Sequence, residues 1–162
     1  MRYMLRQELF SIGGDSMIQD DQGRDIYFVD GAAISIGRNL TIKDMNGQKL
    51  ATIHQQVLNL APKFEIETTS GVNAHVAKKL LSLTDRMKID VDGGEQMEAH
   101  GNLLQHEYNI FRNGQNIAHI SKAWVTLKDT YGIEIADNEN QILLLSCAVV
   151  IEAIQGLGKN RR

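Results

Sequence analysis

Residues 51–66 read ATIHQQVLNLAPKFEI, and residues 74–89 read AHVAKKLLSLTDRMKI. Both begin with Ala, carry an aliphatic residue at the third position and two more at the seventh and eighth, and end on Ile. Written as apolar at positions 1, 3, 7, 8, 10, 14 and 16 of a unit, the pattern starts again at Tyr3, Tyr27, Met97 and Ala118. The Tyr3 unit departs from it only at Ser16, and the Met97 unit is two residues shorter at its turn. The six starts lie 21 to 24 residues apart and fill the chain from Tyr3 to Ile133. That regularity is the mark of an internal repeat, which decides the architecture before any single motif does.

Within each unit the apolar residues alternate through positions 1, 3 and 7, as a half-buried strand requires and a helix does not. The adjacent apolar pair at positions 7 and 8 (Leu9-Phe10, Val57-Leu58, Leu80-Leu81) shifts the inward parity by one, which predicts a bulge or strand corner. Positions 11–13 read GGD, GRN, APK, TDR and KDT in five units, and DDQG, DMNGQ, TTSG, VDGG and RNGQ separate successive units. All are rich in turn-forming residues, with Gly placed for positive φ. Each unit is therefore strand, turn, strand, turn, and six units give about twelve antiparallel strands. A lone hairpin cannot bury its apolar face, so the copies share one core.

After Ile133 the period ends and ADNENQILLLSCAVVIEAIQG begins. From Ile142 to Ile154 only Ser146 and Glu152 are polar. Asp137 is the predicted N-cap and Gly156 the predicted stop, giving a helix over about 138–155. A helix apolar on every side is buried on every side. Its apolar stretch spans about 20 Å, short of the ~30 Å core of a bilayer. These features predict a closed barrel of about twelve strands threaded by this helix, which also leaves no exposed edge. The competing reading makes the stretch a membrane anchor, with Glu152 and the tail GLGKNRR at its interfacial exit.

Composition limits the function classes. At 162 residues, 43% hydrophobic and 23% charged, the chain reads as one globular domain, residues 1–162. Seventeen basic against twenty acidic residues argue against a general nucleic-acid binder. The single Cys147 excludes an internal disulfide and CxxC zinc spacing, which fits a reducing, cytoplasmic setting. The opening MRYMLRQELFSIGG holds no apolar run suited to a signal peptide or a membrane span.

RQELFSIG, DxxGxxxYxVxG from Asp20 to Gly31, NGQKLATI, ISKAW and IADNEN before the apolar helix together resemble the LURP-one-related family. The resemblance covers essentially the whole chain. It implies a fold similar to the tubby C-terminal domain, a twelve-stranded barrel around a central hydrophobic helix, with a remoter likeness to phospholipid scramblases. It implies little about activity, since most members have none assigned. Tubby-type domains bind phosphoinositides through basic residues on the barrel surface, so the resemblance makes an anionic membrane surface the first candidate partner.

The densest basic grouping is Lys78 and Lys79 with Lys63, Arg86 and Lys88 on neighbouring turns and strands. Such clusters suit phosphate headgroups, each lysine adding on the order of 1 kcal/mol against anionic lipid. The plainer reading is a strand edge protected by lysines. Position 5 of the units (Gln7, Gly31, Gln55, Lys78, Gly101, Lys122) falls on the apolar face, which places it at a bulge near the barrel mouth or in a polar end of the lumen.

The five histidines, His54, His75, His100, His106 and His119, lack metal-site spacing and read as surface residues, and neither DDQGRD nor DVDGG completes a calcium loop. There is no GxSxG, P-loop or GxGxxG, and Cys147 lies mid-helix, so neither catalysis nor a cofactor is expected. The sequence thus points to a non-enzymatic barrel that binds anionic phospholipid headgroups. The alternative is a protein-interaction scaffold with no lipid ligand.

Overall fold

The computed structural model describes residues 1–6, 15–32, 39–56, 61–79, 86–102, 105–123, 125 and 130–159. Each repeat unit supplies one pair of strands: β1 (Arg2–Arg6) and β2 (Ser16–Asp20), β3 (Asp25–Ala32) and β4 (Asn39–Asp44), β5 (Lys49–Gln56) and β6 (Lys63–Thr68). The later units supply β7 (Ala74–Lys78) and β8 (Arg86–Val91), β9 (Gln96–Asn102) and β10 (Glu107–Arg112), β11 (Gln115–Ser121) and β12 (Thr130–Ile135). Successive strands pair antiparallel, and β1 closes on β12 in the register Arg2↔Glu134 to Arg6↔Thr130, forming a closed barrel. Every strand is thus hydrogen-bonded on both sides.

Pattern positions become wall positions. Positions 1 and 3 of the third and fourth units, Ala51, Ile53, Ala74 and Val76, have no exposed surface, and positions 14 and 16, Phe64, Ile66, Met87 and Ile89, have none either. Alternate residues between them point outward. The turns between units close as expected: in DDQG, Asp20 Oδ1 accepts from the amides of Gln22 and Arg24, with Gly23 at φ +78°. The bulge predicted at positions 7 and 8 lies, at the three pairs quoted, outside the described residues. Register shifts occur elsewhere, at Ile18/Gln19, Ile42/Lys43 and Ile110/Phe111, where one unit's last strand meets the next unit's first.

The lumen is filled by α1 (Gln141–Lys159). From Leu143 to Ile154 no residue is more than 4% exposed, and α1 packs against β5, β6, β7 and β12. No helix among the described residues is long and apolar enough to cross a membrane, so the anchor reading of this stretch gives way to a threaded core helix.

Both predicted helix ends need correction. The N-cap is Asn140, whose Oδ1 accepts from the Leu143 amide at 3.0 Å. Asp137 is engaged instead by the N-terminal ammonium at 2.7 Å. The helix also continues through Gly156 to Lys159. A mid-helix glycine costs about 1 kcal/mol, which packing inside a barrel outweighs. Arg112 holds the segment before the helix, its Nη1 donating to both Glu139 oxygens at 2.8 and 2.9 Å.

Candidate functional site

Strand register explains how the predicted cations gather. Across β6, β7, β8 and β9 the pairing runs Lys63↔Ala77, Ala77↔Lys88 and Lys88↔Glu98. Residues on one such rung point the same way, and Met87 and Ile89 on either side of Lys88 are buried. Lys63, Arg86 and Lys88 therefore share the outer face. At about 4.8 Å per strand, Lys63 and Lys88 stand roughly 10 Å apart. Lys78 has the inward parity, opposite buried Met87, yet sits half-exposed at the end of β7. It behaves as the position-5 pattern requires at a barrel mouth. Gly31 and Gln55 are likewise half-exposed, Gly101 and Lys122 are exposed, and Gln7 lies outside the described residues.

Acidic residues are interleaved with this patch, which the sequence grouping overlooked. Lys79 Nζ donates to Glu98 Oε2 at 2.6 Å, Arg86 Nη1 donates to Glu98 Oε1 at 3.0 Å, and Lys88 Nζ lies 3.4 Å from Asp90 Oδ2. The Lys79 hydrogen bond, followed by the charges of Lys79, Arg86 and His100, holds the Glu98 carboxyl below its usual range against partial desolvation. These pairs are substantially exposed, so each contributes only about 0–1 kcal/mol. Lys63 and Lys78 have no acidic partner among the described residues.

Beside the cations runs an open groove of about 710 Å³, lined by Lys79, Lys88, Glu98, His100, Phe111 and Asn113 among others. Its floor carries the His100 and Phe111 rings, stacked at 4.3 Å and 9°. The edge-protection reading of the lysines fails, because β7 and β8 each pair with two neighbours and guard no edge.

Of the five histidines, four are half-exposed: His54 contacts Asn39 Oδ1 at 2.6 Å, His75 and His119 lie 4.0 Å from Asp92 and Glu107, and His100 stacks as described. His106, expected at the surface, is 3% exposed and faces Glu152 on α1. The signal that could have revealed this partner was Glu152 itself, a charge in an apolar run that needs a buried counterpart. Among the described residues no three His, Cys, Asp or Glu side chains gather to hold a metal. Burial pushes the Cys147 thiol up to about 12, leaving it inert.

Comparison with known proteins agrees with this architecture. The family model described as LURP-one-related matches residues 1–152. The Bacillus subtilis (strain 168) protein named "Uncharacterized protein YxjI" is 26% identical over 151 residues, covering 93% of this chain and 91% of that protein. An X-ray structure of the Arabidopsis thaliana protein AT5G01750 superposes with a TM-score of 0.69 at 10% identity, over 94% of this chain and 91% of the other. That structural likeness shows the fold alone.

Proposed function

The chain belongs to the LURP-one-related family, and from that premise we propose that its barrel is a non-enzymatic binding module for anionic phospholipid headgroups, a cytoplasmic protein that attaches peripherally to membranes. Lys63, Lys78, Lys79, Arg86 and Lys88 are the headgroup contacts. The observation that carries this reading is their placement on or beside one barrel face, with Lys63 and Lys78 lacking an acidic partner among the described residues. Two such lysines contribute roughly 2 kcal/mol against an anionic surface. Displacing Lys79 and Arg86 from Glu98 adds further contacts at small cost, because those exposed pairs are weak.

A competing reading, a protein-interaction scaffold, draws on the same residues. Glu98 and Asp90 give the face both signs of charge, and the whole chain carries a net charge of −3. Flotation with neutral vesicles and with vesicles containing phosphoinositide, at low and physiological salt, separates the two readings. Lipid binding requires anionic vesicles, weakens with salt and falls in a Lys78→Ala, Lys79→Ala variant. If the protein stays unbound at both salts, the headgroup reading is wrong and a partner must be sought among proteins.

A further inference from the structure

Two outward rungs of the wall meet at the groove over β8–β10. On one, Lys88 pairs with Glu98 and Glu98 with Phe111; on the next, Arg86 pairs with His100 and His100 with Asn109. His100 and Phe111 are therefore diagonal neighbours on one face, and their half-exposed rings stack at 4.3 Å and 9°. Neither ring nitrogen of His100 has a hydrogen-bond partner among the described residues. The β10–β11 register shifts beside this pair: Ile110 faces Ala118 and Phe111 faces Asn116, leaving Ile117 as the extra residue. Such a bulge re-aims the side chain next to it and is common beside functional sites. The turn that follows, with Asn113 at φ +50° and Gly114 at φ +76°, also lines the groove.

The lining selects the chemistry of an occupant. At about 710 Å³ the groove has the size of a small-molecule site. The ring pair offers π surface to a flat ring, and stacking of this kind accepts any aromatic base. Lys79 and Lys88 outnumber Glu98 in the lining, which favours an anion. Each ammonium has three donors but a single carboxylate contact, Lys79 with Glu98 and Lys88 with Asp90, so donors remain for another acceptor. Asn113 adds an amide that both donates and accepts. Lys88 and Phe111 stand two strands apart, about 10 Å between backbones, so ring and anion belong to opposite ends of one molecule. Inorganic phosphate leaves the rings unused, and an uncharged aromatic leaves the lysines unused. A nucleoside monophosphate carries base, sugar spacer and phosphate in the required order.

We infer that this groove binds a nucleoside monophosphate, with the base stacked on the His100–Phe111 pair beside Asn113 and the phosphate on Lys79 and Lys88. The site goes beyond the headgroup reading. It needs neither a membrane nor Lys63 and Lys78, and it stands if that reading fails.

The test is calorimetric titration of the intact chain with adenosine monophosphate, and separately with adenosine and with ribose phosphate, which carry the base or the phosphate alone. Because stacking tolerates any base, adenine serves as the probe. The monophosphate binds saturably, and each fragment binds on the order of tenfold more weakly or worse. Phe111→Leu keeps apolar bulk but removes the ring, and weakens the monophosphate about tenfold. Lys88→Gln removes a charge and weakens it a few-fold, with thermal melts checking that both variants fold. No saturable binding of the monophosphate overturns the site. So does a fragment that binds as tightly as the monophosphate, or a folded Phe111→Leu variant of parental affinity. These titrations contain no lipid, so their outcome is independent of vesicle flotation.

Discussion

Val149 lies midway along α1 with no exposed surface, so Val149→Asp places a carboxyl where solvent does not reach. Three costs combine. Loss of the two methyl groups removes roughly 1–2 kcal/mol of burial, and even a neutral carboxyl costs about 2–7 kcal/mol to desolvate without partners. Keeping that carboxyl protonated at pH 7, about three units above its ordinary pKa, adds about 4 kcal/mol. Together these rival the 5–15 kcal/mol that holds a typical domain together, so the variant unfolds at neutral pH. Only the third cost depends on pH. A folded-state pKa raised above the unfolded value makes the native state bind more protons, so stability recovers as pH falls toward 4. Circular dichroism melts of Val149→Asp, Val149→Ala and the parent at pH 7 and pH 4 measure each contribution. Val149→Ala keeps a cooperative melt, and the deficit of Val149→Asp relative to it shrinks in acid. A near-parental melt of Val149→Asp at pH 7 would refute a helix enclosed by the barrel.

Three further outcomes follow from particular contacts. Glu98→Gln removes the charge that engages Lys79 and Arg86, so co-sedimentation with anionic vesicles strengthens a few-fold, as the weakness of exposed pairs implies; unchanged or weaker binding counts against the outer face as the headgroup site. Gly101 has φ +141°, and an added Cβ would stand 2.6 Å from the Glu107 carbonyl oxygen and 2.8 Å from Tyr108 Cα. Because both obstacles are backbone, Gly101→Ala costs on the order of 1–3 kcal/mol and lowers Tm by about 3–10 °C, and an unaltered Tm contradicts this close approach. The Asp20 carboxyl is held below its usual range, chiefly by the Arg24 amide and then by the Arg24 side chain and the Gln22 amide. Its depressed folded pKa contributes stability above the unfolded value of about 3.9 that is lost as pH falls through the folded one. The urea midpoints of Asp20→Asn and the parent therefore converge between pH 6 and pH 2.5, whereas a constant gap would show that the carboxylate contributes no pH-dependent stability.

The barrel was legible because its code is local and repeated. Parity at positions 1, 3, 14 and 16 recurs in each unit, and an error at Ser16 or in the shortened fifth unit is outvoted by the other copies. The helix was legible from its long apolar run, polar only at Ser146 and Glu152, but its ends were not. Asp137 and Asn140 are equally good caps by type, and only the tertiary contact of Asp137 with the N-terminal ammonium decides between them.

The candidate site was half legible. Clustering of Lys78, Lys79, Arg86 and Lys88 follows from one hairpin, but Glu98 belongs to the next unit. Its approach to Lys79 and Arg86 depends on cross-strand register that a linear reading does not carry. His106 was missed for a related reason. Its partner Glu152 is 46 residues away in sequence and meets it only once the helix enters the lumen.

The most direct test of the proposed function is amide chemical-shift mapping of the full chain titrated with a short-chain phosphatidylinositol phosphate. The proposed site requires saturable shifts concentrated on residues 63, 78, 79, 86 and 88 and their neighbours on β6–β9, lost when Lys63 and Lys78 are replaced by Ala. Saturable shifts on the opposite wall, around β1–β3, or no shifts at all, would contradict it.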